Sequence, residues 1–472
     1  PTTPAPSPPA PPPSAPSPGA AVPAPATLAQ PPGPSEVSAA AAESASRSTP
    51  DTPLPSAAAT ETPAGVDTNA HSRPVTLGFR VSGYLQAQYE NSQLSEDQLQ
   101  QGGVPQNRDR FVLRRARLRV DHGWTYAAGS LEVDGNYASK ASFSVRRAEA
   151  SLLYRGPNGD NPLPFAALTL GVFETPFGYE LMDSSRSRWF MERSTTSLAL
   201  FPTEPDMGAR LSGAVSFFRY AIAIVNGEPL DDRSGRSLSD PNAAKDIVGR
   251  FGVVTQPTEK LRVSGGTSFL HGKGFHPGSS ATKDSTTWVD VNENGQVEQG
   301  EVNGIAGRAA VPSQNFSRWA FGADLQVRLR TSLGWSTLYG EGYVAKNLDR
   351  GLVVADPVAT DLDASGSERT GDVRELGGYV AFVQDIGRYG VVGLRADVYD
   401  PNSDFLRQKQ GKLLPASYNV TTLSPLLGVV LADQARLLFQ YDFIKDHFGK
   451  DARGVPTDSK NDQWTLRLQV ML

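Results

Sequence analysis

Phe79-Arg-Val-Ser-Gly-Tyr-Leu-Gln-Ala-Gln-Tyr-Glu90 sets apolar Phe79, Val81, Leu85, Ala87 and Tyr89, with Gly83 in phase, against Arg80, Ser82, Tyr84, Gln86, Gln88 and Glu90. A period of two with one apolar and one polar face is the pattern of a half-buried strand. The C-terminal stretch repeats it, with Trp464, Leu466, Leu468, Val470 and Leu472 against Thr465, Arg467, Gln469 and Met471. Between these two lie strand-length segments near 110–121, 125–137, 141–155, 166–173, 208–218, 220–226, 247–255, 260–270, 316–330, 334–346, 373–384, 390–400, 420–431 and 434–445. That predicts sixteen strands, an even number that brings both ends of the strand series to one side. The better segments run about 10–15 residues, enough for a tilted strand to cross a hydrocarbon layer.

The connectors alternate in length. Short ones fall at 122–125, 218–219, 255–259, 330–333, 385–389 and 432–434; long ones fall at 92–109, 174–207, 227–246, 271–315, 347–372, 401–419 and 446–461. A closed antiparallel barrel in an outer membrane keeps short turns on its periplasmic rim and long loops outside. The alternation therefore predicts an all-β, sixteen-stranded antiparallel transmembrane barrel over residues 75–472. Trp124, Tyr126, Tyr220, Trp335 and Tyr389 sit beside short connectors, and Tyr89, Tyr137, Trp319 and Trp464 at the opposite strand ends. Two aromatic belts, one at each membrane interface, are expected from this placement. Within 111–119 the alternation slips by one residue, which predicts a bulge. The faces of 335–346 cannot be assigned from the sequence.

No run approaches 18 consecutive apolar residues, which excludes a helical membrane span. Mean hydropathy is -0.35, as expected where apolar residues occupy every second position. The net charge of -5 comes from interspersed acidic and basic residues and leaves no nucleic-acid footprint. Absence of cysteine fits an exported bacterial protein, and a chain opening at Pro1 without a hydrophobic leader predicts a signal peptide already removed. Residues 1–74 hold 20 of the 37 prolines and no Phe, Tyr or Trp. Such a Pro/Ala-rich segment cannot bury enough apolar area to offset its ordering entropy, so it is expected to be disordered. It reads either as a periplasmic spacer or as a tether to cell wall or partner proteins.

Three stretches carry a family resemblance: Phe111-Val-Leu-Arg-Arg-Ala-Arg-Leu-Arg119; Leu170-Gly-Val-Phe-Glu-Thr-Pro-Phe-Gly-Tyr-Glu180 continuing to Phe190-Met-Glu-Arg-Ser194; and Leu466-Arg-Leu-Gln-Val470. Together they make residues 76–472 resemble the phosphate-selective porin O and P family of bacterial outer-membrane channels. The resemblance implies a sixteen-stranded barrel in outer-membrane lipid, a homotrimer, and a third long loop folded inward to narrow the pore.

The connector 174–207 follows the fifth predicted strand and is the third long one. It carries Arg186, Arg188 and Arg193, with Glu180, Asp183 and Glu192, and the apolar Phe177, Trp189, Phe190 and Phe201. So many aromatics predict packing against the barrel interior. Charges held in a constriction set ion selectivity, so Arg186, Arg188, Arg193, Glu180 and Glu192 are the candidate constriction residues; the alternative is that they pair and only brace the loop. Arg117, Arg119, Arg147, Arg210, Arg328 and Arg395, along with Arg436 and Arg467, are placed on the inward face, where guanidinium forks suit anions. Glu132, Asp134, Glu149, Asp324, Asp397 and Asp442 are placed there too, so lateral pairing competes with an anion-guiding wall.

Asp290-Val-Asn-Glu-Asn-Gly-Gln-Val-Glu-Gln-Gly-Glu301 matches the twelve-residue calcium loop D-x-[DN]-x-[DN]-G-x5-E at every constrained position. Asp290, Asn292 and Asn294 would give side-chain oxygens, Gln296 its carbonyl, Glu298 a direct or water-bridged oxygen, and Glu301 two oxygens, with Gly295 at the sharp turn. Three carboxylates and flanks that do not read as helices predict weak calcium affinity, about 10⁻⁴–10⁻³ M. An Asn/Gly-rich turn is the alternative. The loop falls in 271–315, the longest connector, on the outer side.

The five histidines, at 71, 122, 271, 276 and 447, have neither metal-ligand nor triad spacing, and no phosphate-binding Gly-rich loop is present. No enzyme is expected. The sequence points to a passive channel for small solutes or ions, with anion or phosphate preference open. Its rival is a plugged barrel whose calcium-ordered loops or Pro-rich tail bind partner proteins or cell wall.

Overall fold

The computed structural model describes residues 78–472 except 100–102, 104, 139–141, 158–162, 203–204, 228–239, 290, 292–293, 299, 350–359, 363–367, 371, 405, 410–411, 416–418, 432–433, 447–448 and 451–455. The Pro/Ala-rich stretch 1–74 lies outside the described residues.

Strands β1 (Arg80–Ser92), β2 (Arg110–Gly123), β3 (Ala127–Asn136), β4 (Ser142–Tyr154) and β5 (Ala166–Glu174) precede a single-turn helix α1 (Thr195–Leu200). They are followed by β6 (Pro205–Val215), β7 (Phe218–Val225), β8 (Asp246–Thr258), β9 (Leu261–His276), β10 (Gln314–Arg330) and β11 (Trp335–Lys346). The series ends with β12 (Arg374–Ile386), β13 (Gly390–Asp400), β14 (Val420–Leu431), β15 (Ala435–Lys445) and β16 (Gln463–Met471). Each pairs antiparallel with its sequence neighbours, and β1 closes on β16 from Tyr84↔Met471 to Ser92↔Gln463, giving a closed barrel. All sixteen expected strands are present. Closure leaves no unpaired edge, the condition for placing a sheet in hydrocarbon.

The two faces are distributed as alternation demands, but inside out for a protein in water. Leu152, Leu170, Leu211, Ile224, Leu325, Leu338, Phe382, Leu427, Phe443 and Leu468 are exposed on the outer face. Gln86, Arg117, Asp134, Glu149, Arg210, Arg250, Glu341, Asp397, Gln440 and Arg467 are buried on the inner one. An outer surface this apolar requires an apolar solvent, the bilayer. No helix among the described residues is long and apolar enough to cross a membrane.

Several boundaries differ from the sequence reading. β9 reaches His276 and β10 begins at Gln314, so the barrel wall runs beyond the apolar alternation that marked 260–270 and 316–330. Gly272, Lys273 and Gly274 there carry no two-residue apolar period. The turn after β6 is Ser216–Phe217, with Ser216 at φ 54, and not 218–219. Trp335 does not join an interfacial belt: it is only 8% exposed and faces the lumen, whereas Trp124, Tyr126, Tyr389 and Tyr137 are exposed as expected. On β11 the buried residues are Trp335, Thr337, Tyr339, Glu341, Tyr343 and Ala345. An inward face with three aromatics looks as apolar as the outward one, which is why the sequence could not phase it.

Candidate pore constriction

The slip predicted in 111–119 is a bulge. β1 and β2 change register between Gln86 and Ala87, which face Arg115 and Leu113, so Arg114 is the extra residue. A bulge re-aims side chains locally, and here two consecutive arginines reach the same carboxylate. Arg114 Nε and Nη2 donate to the Glu192 oxygens at 2.9 and 3.2 Å. Arg115 Nη2 and Nη1 do so at 2.8 and 3.3 Å. Arg467 Nη2 adds a third guanidinium at 2.9 Å, while its Nε and Nη1 hold Gln88 Oε1 and Met191 O at 2.7 and 2.6 Å. Burial alone would raise the Glu192 carboxyl, but Arg115, Arg114 and Arg467 outweigh it and hold it well below the ordinary carboxylate range. Three guanidiniums against one carboxylate leave this cluster positive, and the Glu192 side chain is still 28% exposed.

Glu192 belongs to the segment between β5 and β6, in which Phe177, Phe190 and Phe201 are buried and Trp189 is half-buried. Phe177, Leu181, Leu200 and Phe201 cluster with Val225, Val248, Leu270, Tyr343 and Tyr399. Phe190 and Met191 cluster with Tyr339, Tyr379, Val383, Leu426 and Leu438, with Trp189 packed alongside. Polar contacts fix the same segment to inward-facing side chains of distant strands. Glu341 on β11 accepts the main-chain N–H of Tyr179 and of Glu180 and the hydroxyl of Tyr343. Tyr84 on β1 bonds Ser185 Oγ at 2.6 Å, and Gln440 on β15 accepts Met191 N–H at 2.8 Å. Among the other candidate charges, Glu180, Arg188 and Arg193 mainly brace. Glu180 accepts Ser194 N–H and Oγ–H at 3.0 and 2.7 Å, ordering the entry to α1. Arg188 Nη2 donates to Asp183 O at 3.0 Å, Arg193 Nη2 to Leu181 O at 3.2 Å, and the Arg186 carbonyl accepts from Gln469 at 2.9 Å. Burial pushes the Asp183 carboxyl up, against the opposing pull of Arg188.

The wall arginines pair laterally. Arg117 meets Asp134 and Glu132 at 3.1 and 3.3 Å, and Arg119 meets Asp121 at 2.9 Å. Arg147 bridges Glu149 and Glu174 at 3.1 and 3.2 Å, and Arg210 reaches Glu149 at 3.1 Å. Arg395 lies 3.5 Å from both Glu180 and Asp397, donates to Glu192 O at 2.9 Å and covers the Phe190 ring at 4.9 Å. Arg328 lies over Trp335 at 5.0 Å. Sequence reasoning missed Arg114, Arg115 and Glu341, and the pairs Arg250–Asp324 and Arg318–Asp246. For Arg114 and Arg115 the signal was present: the slip itself implies that two adjacent side chains share one face.

In the 271–315 connector, Ser285–Trp288 pairs with Val302–Ile305 as a β-hairpin, consistent with flanks that do not read as helices. Asp290 and Asn292 lie outside the described residues. Gly295 adopts φ 70, the turn expected at the sixth loop position. Glu301 is buried and accepts Trp288 Nε1–H at 3.1 Å, Val291 N–H at 3.0 Å and Glu298 N–H at 3.4 Å. Asn294 donates to Glu298 at 2.9 Å and accepts Gln296 N–H at 2.7 Å. Among the described residues no three His, Asp or Glu side chains are already gathered as a metal site.

No protein-family model matches the sequence. No curated protein matches it either. Solved structures of similar shape include OprB of Pseudomonas putida (TM-score 0.48, 10% identity, 84% of this chain and 94% of that one). They also include the outer membrane channel DcaP of Acinetobacter baumannii (0.46, 9%, 84% and 97%) and an anion-selective porin from Comamonas acidovorans (0.45, 11%, 84% and 99%). The barrel assignment rests on the strand pairing itself.

Proposed function

We propose that the chain is an outer-membrane porin, a passive water-filled channel for small solutes and ions, narrowed by the segment between β5 and β6. The observation that carries this is the polar, ion-paired inner face of a closed barrel whose outer face is apolar. The positive Arg114–Arg115–Arg467 cluster around Glu192 supports a preference for small anions, because a charged ring in a constriction biases which ions pass. The laterally paired wall limits that preference to the constriction. Steady single-channel conductance in planar bilayers, with a reversal potential displaced toward anions in a salt gradient, is the expected result. A silent barrel would instead favour a plugged scaffold whose outer loops or tail engage partner proteins or cell wall. Block of the chloride current by phosphate tests phosphate preference, and the mass of the detergent-solubilised assembly tests the homotrimer.

A second reading concerns calcium. The twelve-residue motif, the Gly295 turn and the inward Glu301 support a weak calcium site on the 290–301 loop, using Asp290, Asn292, Asn294, Gln296, Glu298 and Glu301. Calcium would draw the Glu301 carboxylate from its N–H donors and order the hairpin. Calorimetry should show binding that Asp290→Ala abolishes; equal heats from both proteins would refute the site.

A further inference from the structure

Where α1 lies against the barrel wall, three buried carboxylates share one guanidinium. Glu180, Asp397 and Asp442 are all buried, and the field of Arg395 reaches each of them. Arg395 is also committed elsewhere, donating to Glu192 O at 2.9 Å and covering the Phe190 ring. Counting Arg193 of the same segment as well, which donates to Leu181 O, carboxylates still outnumber guanidiniums. Glu180 is held by the N–H and hydroxyl of Ser194, and Asp442 Oδ1 accepts from Ser424 Oγ and Gln440 Nε2. Asp397 is different. Its side chain is 0% exposed, yet neither carboxylate oxygen has a hydrogen-bond partner. Arg395 Nε stands 3.5 Å from Oδ2, and the hydroxyl and N–H of Thr195 face the carboxylate without closing a hydrogen bond. Register and α1 together build this environment. Asp397 on β13 stands opposite Thr422 on β14. Thr195 Oγ1 lies 3.3 Å from Thr422 Oγ1, and Thr196 Oγ1 donates to Val398 O at 3.1 Å. A carboxylate buried without hydrogen-bond donors is costly unless a cation is paired with it.

We propose that the Asp397 carboxylate binds an alkali-metal cation between α1 and the β13–β14 strand pair, with the hydroxyl oxygens of Thr195 and Thr422 as its neutral ligands. The donor set is all oxygen, which suits a hard cation. A divalent ion calls for more carboxylate than this place offers. Glu180 and Asp442 are engaged by other donors, and no three acidic side chains among the described residues are gathered about one point. A single positive charge offsets Asp397 and draws on hydroxyls that already face it. Because Thr195 belongs to the segment between β5 and β6 while Asp397 and Thr422 belong to the wall, the ion ties one to the other. It adds to the hold that Glu341 exerts from β11. The site differs from the 290–301 loop in its place and in its ion, and binding does not depend on whether the barrel conducts.

Thermal unfolding of the whole chain in detergent tests this, with EDTA present and N-methylglucamine chloride exchanged for sodium or potassium chloride at constant ionic strength. The midpoint should rise saturably with at least one of the two metal ions, as for any ligand that binds the folded state alone. Asp397→Asn should abolish that rise. Thr195→Val, which removes one neutral ligand and leaves every strand unchanged, should raise the half-saturating cation concentration by about tenfold. No rise in the wild type overturns the proposal and would leave a proton, or Arg395 alone, to neutralise Asp397. An equal rise in wild type and Asp397→Asn also overturns it, by placing the ion elsewhere. If Asp397→Asn does not assemble, Thr195→Val decides, and an unchanged half-saturating concentration refutes the site. Conductance in planar bilayers is read separately. A chain that shows the expected cation dependence but carries no current refutes the channel and keeps the site; one that conducts without that dependence refutes the site and keeps the channel.

Discussion

Glu192 is the residue on which the constriction turns, because three arginines from β2 and β16, the two strands that flank β1, converge on it. Its carboxyl is depressed by Arg115, Arg114 and Arg467 against the opposing effect of burial. A group whose folded value is depressed contributes stability that is present above its unfolded value, about 4.3 for glutamate, and is lost as pH falls through the folded value. The stability difference between wild type and Glu192→Gln should therefore be complete at neutral pH, persist at pH 5 and close only well below pH 4. Thermal unfolding in detergent across that range checks it; a difference that does not change with pH would place the folded value in the ordinary range. The same substitution removes the one negative charge from the cluster, so the reversal potential should move further toward anions.

At the scale of the element, the β1–β2 bulge is the device that makes this site. Deleting Arg114 restores plain alternation, because Leu113 already faces Ala87 and Arg115 already faces Gln86. The deletion should leave a folded barrel that has lost one guanidinium from Glu192. Deleting Leu118, which lies in regular pairing with Gly83, should instead turn every preceding side chain of β2 to the wrong face and prevent assembly. Heat-modifiable electrophoretic migration distinguishes the two, and failure of both deletions alike would remove the structural role given to Arg114. The bulge was legible as a slip in Phe111–Arg119, but its partner was not, since nothing local to that run names Glu192. β11 was illegible for another reason: Tyr339 and Tyr343 point inward to meet the segment after β5, so their packing partners lie far away in sequence.

At the scale of the whole molecule, the segment between β5 and β6 is joined to the barrel by two buried apolar clusters and by hydrogen bonds from several strands. Glu341 is central, accepting two main-chain N–H groups and a tyrosine hydroxyl. Glu341→Ala would leave those donors unpaired in a buried place, at about 1–3 kcal/mol each, with the strands themselves intact. The expected outcome is a barrel that still assembles but shows noisier conductance and a new protease-sensitive site between β5 and β6. An unchanged single-channel trace would show that the segment is held without Glu341. The sequence by itself determined the architecture: sixteen strands, their order, the apolar face of most of them and the alternating lengths of their connectors. Those features follow from the two-residue period of a strand and the need to hide every backbone hydrogen bond from lipid. Only the tertiary structure decided which charges meet. Glu192 and Arg467 are 275 residues apart, and barrel closure, together with the seating of one segment on the inner wall, brings them within hydrogen-bond distance. Such pairings depend on register, a bulge and burial acting together, and no local pattern encodes all three.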